Sequence, residues 1–286
     1  MRAVLCREYG PYSEIAVEDV PEPALTPGSV LIDVAAAGVG FANVLALAGK
    51  HQNSPPPPFV PGTEVAGIIN AVADDVDHLR PGQRVVAGMP LGAFAEQALA
   101  LADNTFAIPD NLDFPAATNF PTIYATAYGS LVWQARMQPG ETLLVHGAGG
   151  GSGLAAVDVG KALGATVIAT AGSTEKLAAA KAAGADHLIN YTEAPFRDAV
   201  LDLTAGRGAD VIFDPVGGDV FDQSLRCIAP EGRIFPIGFA GGTIPQIPAN
   251  ILLVKNISVH GIYWGYYGGW ARQPRTAANI ARLGEA

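Results

Sequence analysis

Cysteine is nearly absent from this chain of 286 residues, since only Cys6 and Cys227 occur, far apart and outside any C-x-x-C pair. A disulfide framework and a cysteine-rich zinc lobe are therefore excluded. The five histidines are scattered and do not form a cluster typical of a zinc site. The sequence also lacks a G-x-S-x-G elbow, a P-loop and an H-E-x-x-H motif, so it indicates none of the enzyme classes that depend on them.

Basic residues are few, with 17 Lys and Arg against 27 Asp and Glu and a net charge of −10. This balance argues against non-specific binding to nucleic acid or to anionic membranes, so any anionic ligand must be held by local donors. No apolar window reaches the roughly 18 residues of a spanning helix. The amino-terminal stretch lacks the apolar core of a signal peptide. We therefore expect a soluble, cytoplasmic protein that binds neither membrane nor nucleic acid.

The first third of the chain predicts a β-rich domain. Short β-type runs are separated by turns rich in Pro and Gly, and these runs are MRAVLC, SVLIDVAAAG, EVAGIINAVA, QRVVAGM and AFAEQALAL. The pattern becomes helical over residues 111–135.

From residue 141 onwards, short apolar strands alternate with helices. Strands are predicted in TLLVH, TVIATA, HLIN, DVIFDPV, GRIFPIGF and NISVHGIYWGYY, and helices in GLAAVDVGKALG, TEKLAAAKAAG, FRDAVLDLTAG and VFDQSLRCIAP. Such alternation implies right-handed crossovers and a parallel sheet covered on both faces. The predicted fold class is therefore α/β, with a β-rich domain preceding a doubly wound parallel sheet.

A glycine-rich stretch follows the first strand of this predicted sheet, where five of the seven residues from Gly147 to Gly153 are glycine. Unpaired N–H groups and the dipole at the start of the next helix favour an anion there. Gly147, Gly150 and Gly153 recur at three-residue spacing, which permits a tight turn, close approach of a pyrophosphate and close packing of helix on strand. We therefore predict a dinucleotide-binding turn, and the alternative is a plain turn.

The second strand of the predicted sheet indicates which nicotinamide cofactor binds. An NAD site usually carries Asp or Glu at the tip of that strand, where it holds the ribose 2′-hydroxyl. Here the tip reads ATAGSTEK, so Gly172 and Ser173 occupy it without a carboxylate. Lys176 is suitably spaced to meet a 2′-phosphate, and Ser173 has a hydroxyl to donate. NADPH is therefore favoured, although Lys176 alone also fits a solvated helix lysine.

The combination of these motifs resembles the medium-chain dehydrogenase/reductase superfamily. Its zinc alcohol dehydrogenases carry a His-Glu pair where this chain reads VPGTEVAG, so Thr63 replaces the histidine, and the catalytic cysteine near Asn43 is missing. No metal site is expected. Nearly the whole chain is similar to the zinc-free quinone oxidoreductase (zeta-crystallin-like) branch, through FVPGTEVAGII, GAFAEQALA, YATAYGSL, LLVHGAGGGSGLAAVDVGKALGA, GADHLINYTE, VIFDPVGGDVFDQSLRCIAPEGRIFPIGFAGG and KNISVHGIYWG.

This resemblance implies a GroES-like catalytic domain (residues 1–124 with 265–286) and a Rossmann NADPH-binding domain (residues 125–264). Carried over by motif, the pyrophosphate would meet Gly150, Gly151 and Ser152. The adenosine phosphate would lie among Gly172, Ser173, Lys176 and Tyr191. The nicotinamide side would lie near Thr126, Val216 and Phe239. Tyr191 and Phe239 also fit simple packing roles, and Val216 a turn. The resemblance further implies a homodimer formed through the edge of the cofactor-domain sheet.

The chain departs from the family at the active cleft and at its end. Relatives often carry NF-x-D-x-Y and a second tyrosine, whereas Gly40, Asn43, Leu45 and His51 stand at those places in GFANVLALAGKH. Asn43 remains as a donor while two tyrosine hydroxyls are lost. Family chains also run further than TAANIARLGEA and complete the first domain. We therefore expect that domain to be incomplete, with an exposed strand edge.

Three functions remain open at this stage. The primary hypothesis is direct hydride transfer from NADPH to a quinone, with Asn43 stabilising the developing oxyanion and Thr126, Tyr124 and His51 as further candidates. Asn43 also fits a helix cap, Tyr124 a core residue and His51 a loop residue. The second hypothesis is reduction of the C=C bond of a 2-alkenal, an enone or an enoyl thioester. The third is an NADPH-binding protein with little turnover.

Overall fold

The computed structural model describes residues 1–51 and 54–268. The chain divides into two compact units, one formed by Met1–Thr122 with the segment from Trp264, and the other by Ile123–Tyr263. The carboxyl-terminal stretch that was expected to leave the first domain incomplete, residues 276–286, lies outside the described residues. Within the described ranges, no helix is both long and apolar enough to cross a membrane.

The first unit is built on antiparallel strands. Its elements before Thr122 are β1 (Arg2–Leu5), β2 (Ala16–Asp19), β3 (Ser29–Ala37), α1 (Phe41–Leu47), β4 (Glu64–Val72), β5 (Arg84–Gly88), β6 (Gln97–Leu101), β7 (Thr105–Ala107) and α2 (Phe114–Ala117). Five strands form one sheet in the order β6-β3-β4-β5-β7, and β1 pairs with β2. Alternate residues of β3, β4 and β5 face one core, among them Val30, Ile32, Val65, Ile69 and Val85.

The second unit begins with a helical run that includes the π-helical segment Gly129–Gln134, and it continues as a parallel sheet. Its elements are α3 (Ala125–Tyr128), β8 (Thr142–Val145), α4 (Gly151–Ala162), β9 (Thr166–Ala171), α5 (Thr174–Ala182), β10 (His187–Asn190), α6 (Phe196–Leu203), β11 (Ala209–Asp214), α7 (Asp219–Cys227), β12 (Ile228–Pro236), α8 (Ala249–Lys255) and β13 (Ser258–Val259). The short helix α9 (Trp264–Tyr267) then follows in the first unit.

The parallel sheet has the strand order β10-β9-β8-β11-β12-β13, and all its neighbours pair in parallel. Consecutive strands run outwards from β8 on one side and from β11 on the other, so the order reverses between these two central strands. This is the doubly wound dinucleotide-binding topology, in which ligands bind at the carboxyl ends of the strands beside that reversal. The predicted α/β fold is therefore confirmed.

Both faces of the parallel sheet are buried. Leu143 and Val145 of β8 face one core, whereas Leu144 between them faces the other. Phe213 and Ile212 of β11 divide in the same way. Successive side chains of a strand point to opposite faces, so a strand covered by helices on both sides must be apolar throughout. This requirement explains the unbroken apolar runs that predicted the strands.

The structure differs from the sequence prediction near residue 228 and in α8. The predicted helix VFDQSLRCIAP ends at Cys227, and β12 begins at Ile228 instead of Gly232. The sequence Pro-Glu-Gly is typical of a turn, and Glu231 does have a positive φ of 62°. The strand continues through this irregular position, which the sequence pattern does not reveal.

Helix α8 was not predicted, because its exposed Leu253 and Val254 give it no apolar periodicity.

Candidate functional site

The glycine-rich turn joins β8 to the start of α4 at the carboxyl edge of the parallel sheet. Gly147 has a positive φ of 57°, and Gly150 is the residue that caps α4. A Cβ on Gly153 would lie 2.5 Å from the carbonyl oxygen of Gly147 and 2.7 Å from the Cα of Ala148. Side chains are therefore excluded because the helix packs directly against the backbone of the turn. The turn is thus a cradle for a group that approaches the backbone itself.

The first amide groups of α4 provide the anion-binding chemistry of this turn. Gly151 and Ser152 are the first two helical residues, and amides at these positions have no intrahelical acceptor. Gly151 is exposed and Ser152 is half-buried, so this end of the helix is accessible. None of the side chains that the structure describes caps the helix. The donors are therefore suited to the pyrophosphate of a dinucleotide.

The tip of β9 meets the loop after β10. Tyr191 lies at the end of β10 and is about half exposed, with its N–H directed at the carbonyl oxygen of Ala171. A Cβ on Gly172 would lie 2.7 Å from the Tyr191 hydroxyl oxygen. Ser173 caps α5, because its Oγ accepts the backbone N–H of Lys176 at 3.3 Å. The structure therefore brings Gly172, Ser173, Lys176 and Tyr191 together.

Lys176 also packs against the glycine-rich turn. A Cβ on Gly149 would overlap the Cα, Cβ and Cγ atoms of Lys176, so α5 approaches the turn as closely as the backbone allows. Lys176 itself is exposed. The first atoms of the Lys176 side chain therefore lie at the turn, between the candidate pyrophosphate and ribose positions, and the ammonium group extends from there. Gly149 was missed from sequence because it falls outside the three-residue spacing.

A cavity of about 480 Å³ opens at the same edge of the sheet. The end of β8 contributes His146 and Gly147, β9 contributes Thr170, and the remaining walls are Tyr191–Phe196, Val216, Val220 and Gln223. The cavity is continuous with the glycine-rich turn, since Gly147 belongs to both. Its size suits a flat ring system such as a nucleobase with its ribose.

His146 was not predicted from sequence, and it closes the inner end of this cavity. Its ring is 1% exposed, and the Ser224 hydroxyl donates to the Val220 carbonyl oxygen at 2.7 Å. Ser224 therefore accepts from His146 Nε2–H at 2.8 Å, and Nδ1 accepts from the Thr170 hydroxyl at 2.9 Å. Burial lowers the pKa of His146 to about 3, so the ring is neutral with one tautomer fixed.

Val216 and Phe239 come together beyond the end of β11. Gly241 N–H donates to the Val216 carbonyl oxygen at 2.9 Å, and Phe239 contacts Gly217, which has a positive φ of 73°. Asp214 organises this turn, because one carboxylate oxygen accepts the N–H groups of Val216 and Gly217 at 2.8 and 3.0 Å. Burial raises the pKa of Asp214. Asp214 was also missed, since an acidic residue at the end of a strand carries no sequence signal of burial.

The residues predicted to be catalytic are divided between the two units. In the second unit, Tyr124 donates its hydroxyl proton to Asp158 at 2.8 Å, and burial with this carboxylate raises the pKa of Tyr124 to about 12. Thr126 is half-buried in α3, where its carbonyl oxygen accepts the Ser130 hydroxyl. Their catalytic roles stay predictions.

In the first unit, Asn43 lies within α1 and not at its cap, which is Gly40. The Asn43 side chain is buried, and its Nδ2 donates to the Gly38 carbonyl oxygen at 3.4 Å, a long bond. Leu45 lies on the same helix and is half-buried. Burial lowers the pKa of His51, so this residue is neutral at pH 7. Among the described residues, no group of three or more His, Cys, Asp or Glu side chains is arranged to hold a metal ion.

The comparisons with known proteins agree with this architecture. Residues 26–110 match the family model for the alcohol dehydrogenase GroES-like domain, and residues 151–281 match the model described as zinc-binding dehydrogenase. The chain is 42% identical over 267 residues to quinone oxidoreductase-like protein 2 of Mus musculus, covering 93% of this chain and 76% of that protein.

Two solved structures extend the likeness to three dimensions. Quinone oxidoreductase of Escherichia coli complexed with NADPH is 27% identical with a TM-score of 0.86, covering all of this chain and 86% of that one. The CurK enoyl reductase is 27% identical with a TM-score of 0.87, covering 99% and 86%. The fold and the glycine-rich turn define a medium-chain dehydrogenase/reductase. Within that superfamily of NAD(P)-dependent oxidoreductases, the chain belongs to the quinone oxidoreductase family.

The close packing of α4 on the turn generates a prediction about Gly153. Replacing Gly153 by Ala should lower the free energy of unfolding by about 1–3 kcal/mol, the usual cost of overpacking. Alanine improves helix propensity by about 1 kcal/mol over glycine, but the backbone oxygen of Gly147 is fixed and the clash prevails. Thermal or urea unfolding of the purified variant measures the change.

The matched control is Gly261→Ala, because Gly261 is exposed and has no neighbouring group within 4 Å of its Cβ position. That variant should unfold within about 0.5 kcal/mol of the wild type. Equal stability of the Gly153 and Gly261 variants would contradict the packing argument.

Proposed function

We propose that the protein is a zinc-independent oxidoreductase that transfers hydride from NADPH to a quinone. The observation that carries the proposal is the cradle at residues 147–153 with Lys176 packed against it. The Escherichia coli quinone oxidoreductase supports it, since that structure was determined with NADPH. When bound, NADPH supplies the hydride, and the protein's contribution is to hold and orient the reactants.

Preference for NADPH over NADH is supported by the tip of β9. A side chain with a carboxylate at position 172 would have to displace the Tyr191 ring, because the Tyr191 hydroxyl oxygen lies 2.7 Å from the Cβ position there. Lys176 supplies positive charge, and the Ser173 hydroxyl keeps its own proton while it caps α5. These groups suit a 2′-phosphate.

The role of Lys176 can be tested with a control on the same helix. Lys176→Ala should raise the KM or Kd for NADPH at least tenfold, the loss expected for one charge-assisted bond of about 1.5–3 kcal/mol, and leave the values for NADH unchanged. Lys181→Ala should change neither, because the Lys181 ammonium donates to the Ala185 carbonyl oxygen at the far end of α5. A parallel loss for both cofactors would contradict recognition of the 2′-phosphate.

Metal-free chemistry is supported by Thr63, which stands where zinc alcohol dehydrogenases carry a histidine. Hydride addition to a carbonyl creates negative charge on oxygen, and a donor near that oxygen stabilises it. Asn43 is the candidate, because its amide is preorganised by burial and by the bond to Gly38. An amide donates hydrogen bonds without titrating, so its pKa need not match the working pH. The proposed reaction therefore needs no metal ion to stabilise the oxyanion.

A second candidate function is reduction of the C=C bond of an enone, a 2-alkenal or an enoyl thioester. The similarity to the CurK enoyl reductase over 99% of this chain favours it. Both reactions use the same hydride and the same developing oxyanion. Quinone reduction is preferred because the curated relative at 42% identity is a quinone oxidoreductase-like protein.

Acceptor choice and Asn43 are tested together. NADPH oxidation should be faster with a simple quinone than with an enone, and Asn43→Ala should lower kcat by about 10²–10³, as loss of one oxyanion donor does, with little change in NADPH affinity. Asn119→Ala is the control, since Asn119 is exposed and its amide bonds only locally to Ala116. Tight NADPH binding without reduction of either acceptor would favour a binding protein with little turnover.

We also propose a homodimer formed through the β13 edge of the sheet. Helix α8 precedes this edge strand, and Leu253 and Val254 on it are 78% and 72% exposed. Among the described residues, β13 pairs with β12 on one side and has no partner strand on the other. A strand edge beside exposed aliphatic side chains is a surface that a second copy can cover.

A charged residue on this surface should prevent the association. Leu253→Glu should sediment as a monomer, whereas Leu203→Glu, at a half-exposed site on α6, should sediment as the wild-type dimer. A wild type that is monomeric at micromolar concentration would contradict the proposed homodimer.

A further inference from the structure

One buried carboxyl group has no part in the function proposed so far. Glu64 is the first residue of β4 and is 5% exposed. Its Oε2 lies 2.5 Å from the position that a Cβ on Gly38 would take, so the carboxyl fills the space left by that glycine. Within the described residues, Glu64 forms no ion pair. A buried acid without a cation is costly when charged, so its environment favours the protonated form.

Among the described residues, no charged side chain contributes to the pKa shift of the Glu64 carboxyl. Gly38 follows β3, Gly88 of β5 pairs with Glu64 in the sheet, and the α2 residues packed on β4 are Phe, Pro and Ala. The charged residues of these strands, Asp33 and Arg84, both pair with Ile68 towards the other end of β4. Over the part of the chain that the structure describes, burial and the Thr122 hydroxyl are the two influences on the pKa of this carboxyl.

Burial raises the pKa of Glu64 to about 7, and the Thr122 hydroxyl opposes part of this shift. The segment that follows Gly38 also carries Lys50, which is exposed, and His51, whose pKa is lowered by burial. His51 is therefore neutral across the alkaline range, so it does not change charge where Glu64 does.

Glu64 also anchors the segment that carries Asn43. The Gly38 N–H donates to the Glu64 carbonyl oxygen at 3.1 Å, and the Gly38 carbonyl oxygen accepts from the Asn43 amide at 3.4 Å. The backbone of Gly38 thus connects the two residues, with the Glu64 carboxyl against its Cα. A negative charge on Glu64 would appear directly behind the segment that presents the proposed oxyanion donor.

We propose that Glu64 is a positioning residue of the reduction, which must keep its proton while hydride is transferred. This inference rests on the proposed function. The acceptor gains two electrons and one hydrogen as hydride, its oxygen becomes anionic, and a proton from solvent completes the reduction. Glu64 neither gives up nor takes a proton in this step. Its ionisation places a second negative charge near the developing one and disturbs the Gly38–Asn43 segment.

The first experiment is the pH profile of kcat from pH 6 to pH 9 with NADPH and a quinone. Wild-type kcat should fall above neutral pH, by up to about tenfold per pH unit, because the protonated fraction falls at that rate above a pKa. Glu64→Gln should stay active and lose this alkaline fall. Glu22→Gln, a change at an exposed site in the same unit, should keep the wild-type profile.

The second experiment measures melting temperature against pH without cofactor. A carboxyl whose pKa is raised in the folded state binds a proton that the unfolded state has released, so the contribution of Glu64 to wild-type stability should fall as pH rises from about 4.5 to about 7. Glu64→Gln should lack this component, and its melting temperature relative to wild type should rise over the same interval. Glu64→Met, which has a similar length and cannot titrate, replaces it if the Gln variant does not fold.

Each outcome decides the proposal. A wild-type kcat that is constant from pH 6.5 to pH 8.5, or an alkaline fall shared by the Gln or Met variant, overturns the role of Glu64 while leaving quinone reduction intact. Melting curves that respond to pH identically in wild type and variant overturn it as well. A wild type that reduces neither quinone nor enone overturns the proposed function and this role together.

Discussion

The site in the second unit depends on the distance between two pieces of backbone, the turn after β8 and the first turn of α4. The Gly147 carbonyl oxygen lies where a side chain on Gly153 would begin. Because no side chain separates them, the helix is fixed directly on the sheet edge and its first amide groups point out of the turn. Lys176 then packs on Gly149, and the Tyr191 hydroxyl lies over Gly172. The three approaches bring α4, α5 and the loop after β10 into one site.

The inner end of the cavity beside that turn is bordered by a chain of hydrogen bonds that all run in the same direction. In the chain Thr170–His146–Ser224–Val220, each group donates a hydrogen bond to the next, and the last acceptor is the backbone carbonyl oxygen of Val220. It joins β8, β9 and α7, which are the three elements around the inner end of the cavity. A charged imidazole would break the chain, because both ring nitrogens would then donate. Because burial keeps the His146 ring neutral, the ring can accept one hydrogen bond and donate the other, as the chain requires.

A structural feature of this protein could be predicted from the sequence when the residues that determine it lie close together along the chain. The alternation of strands and helices from residue 141 is local, and the parallel sheet follows from it. Three-residue glycine spacing is also local, and it located the turn. The partners of His146 lie 24 and 78 residues away, so no spacing rule reveals them. Likewise, the contact of Glu64 with Gly38 depends on how β3 and β4 pair, and the position of Asn43 inside α1 depends on where that helix begins.

The charge distribution explains how an acidic chain can serve an anionic dinucleotide. A net charge of −10 repels a phosphate at long range, but at a distance of about 10 Å solvent ions screen that repulsion under physiological conditions. In our proposal, the amides at the start of α4 and the Lys176 ammonium group hold the dinucleotide at contact distance. Burial raises the pKa of both Asp214 and Glu64, so the interior resists negative charge near the turn after β11 and behind the Asn43 segment. Chemistry that creates an anion on the acceptor is therefore disfavoured by any additional negative charge in this interior, and in our proposal Glu64 keeps its proton for that reason.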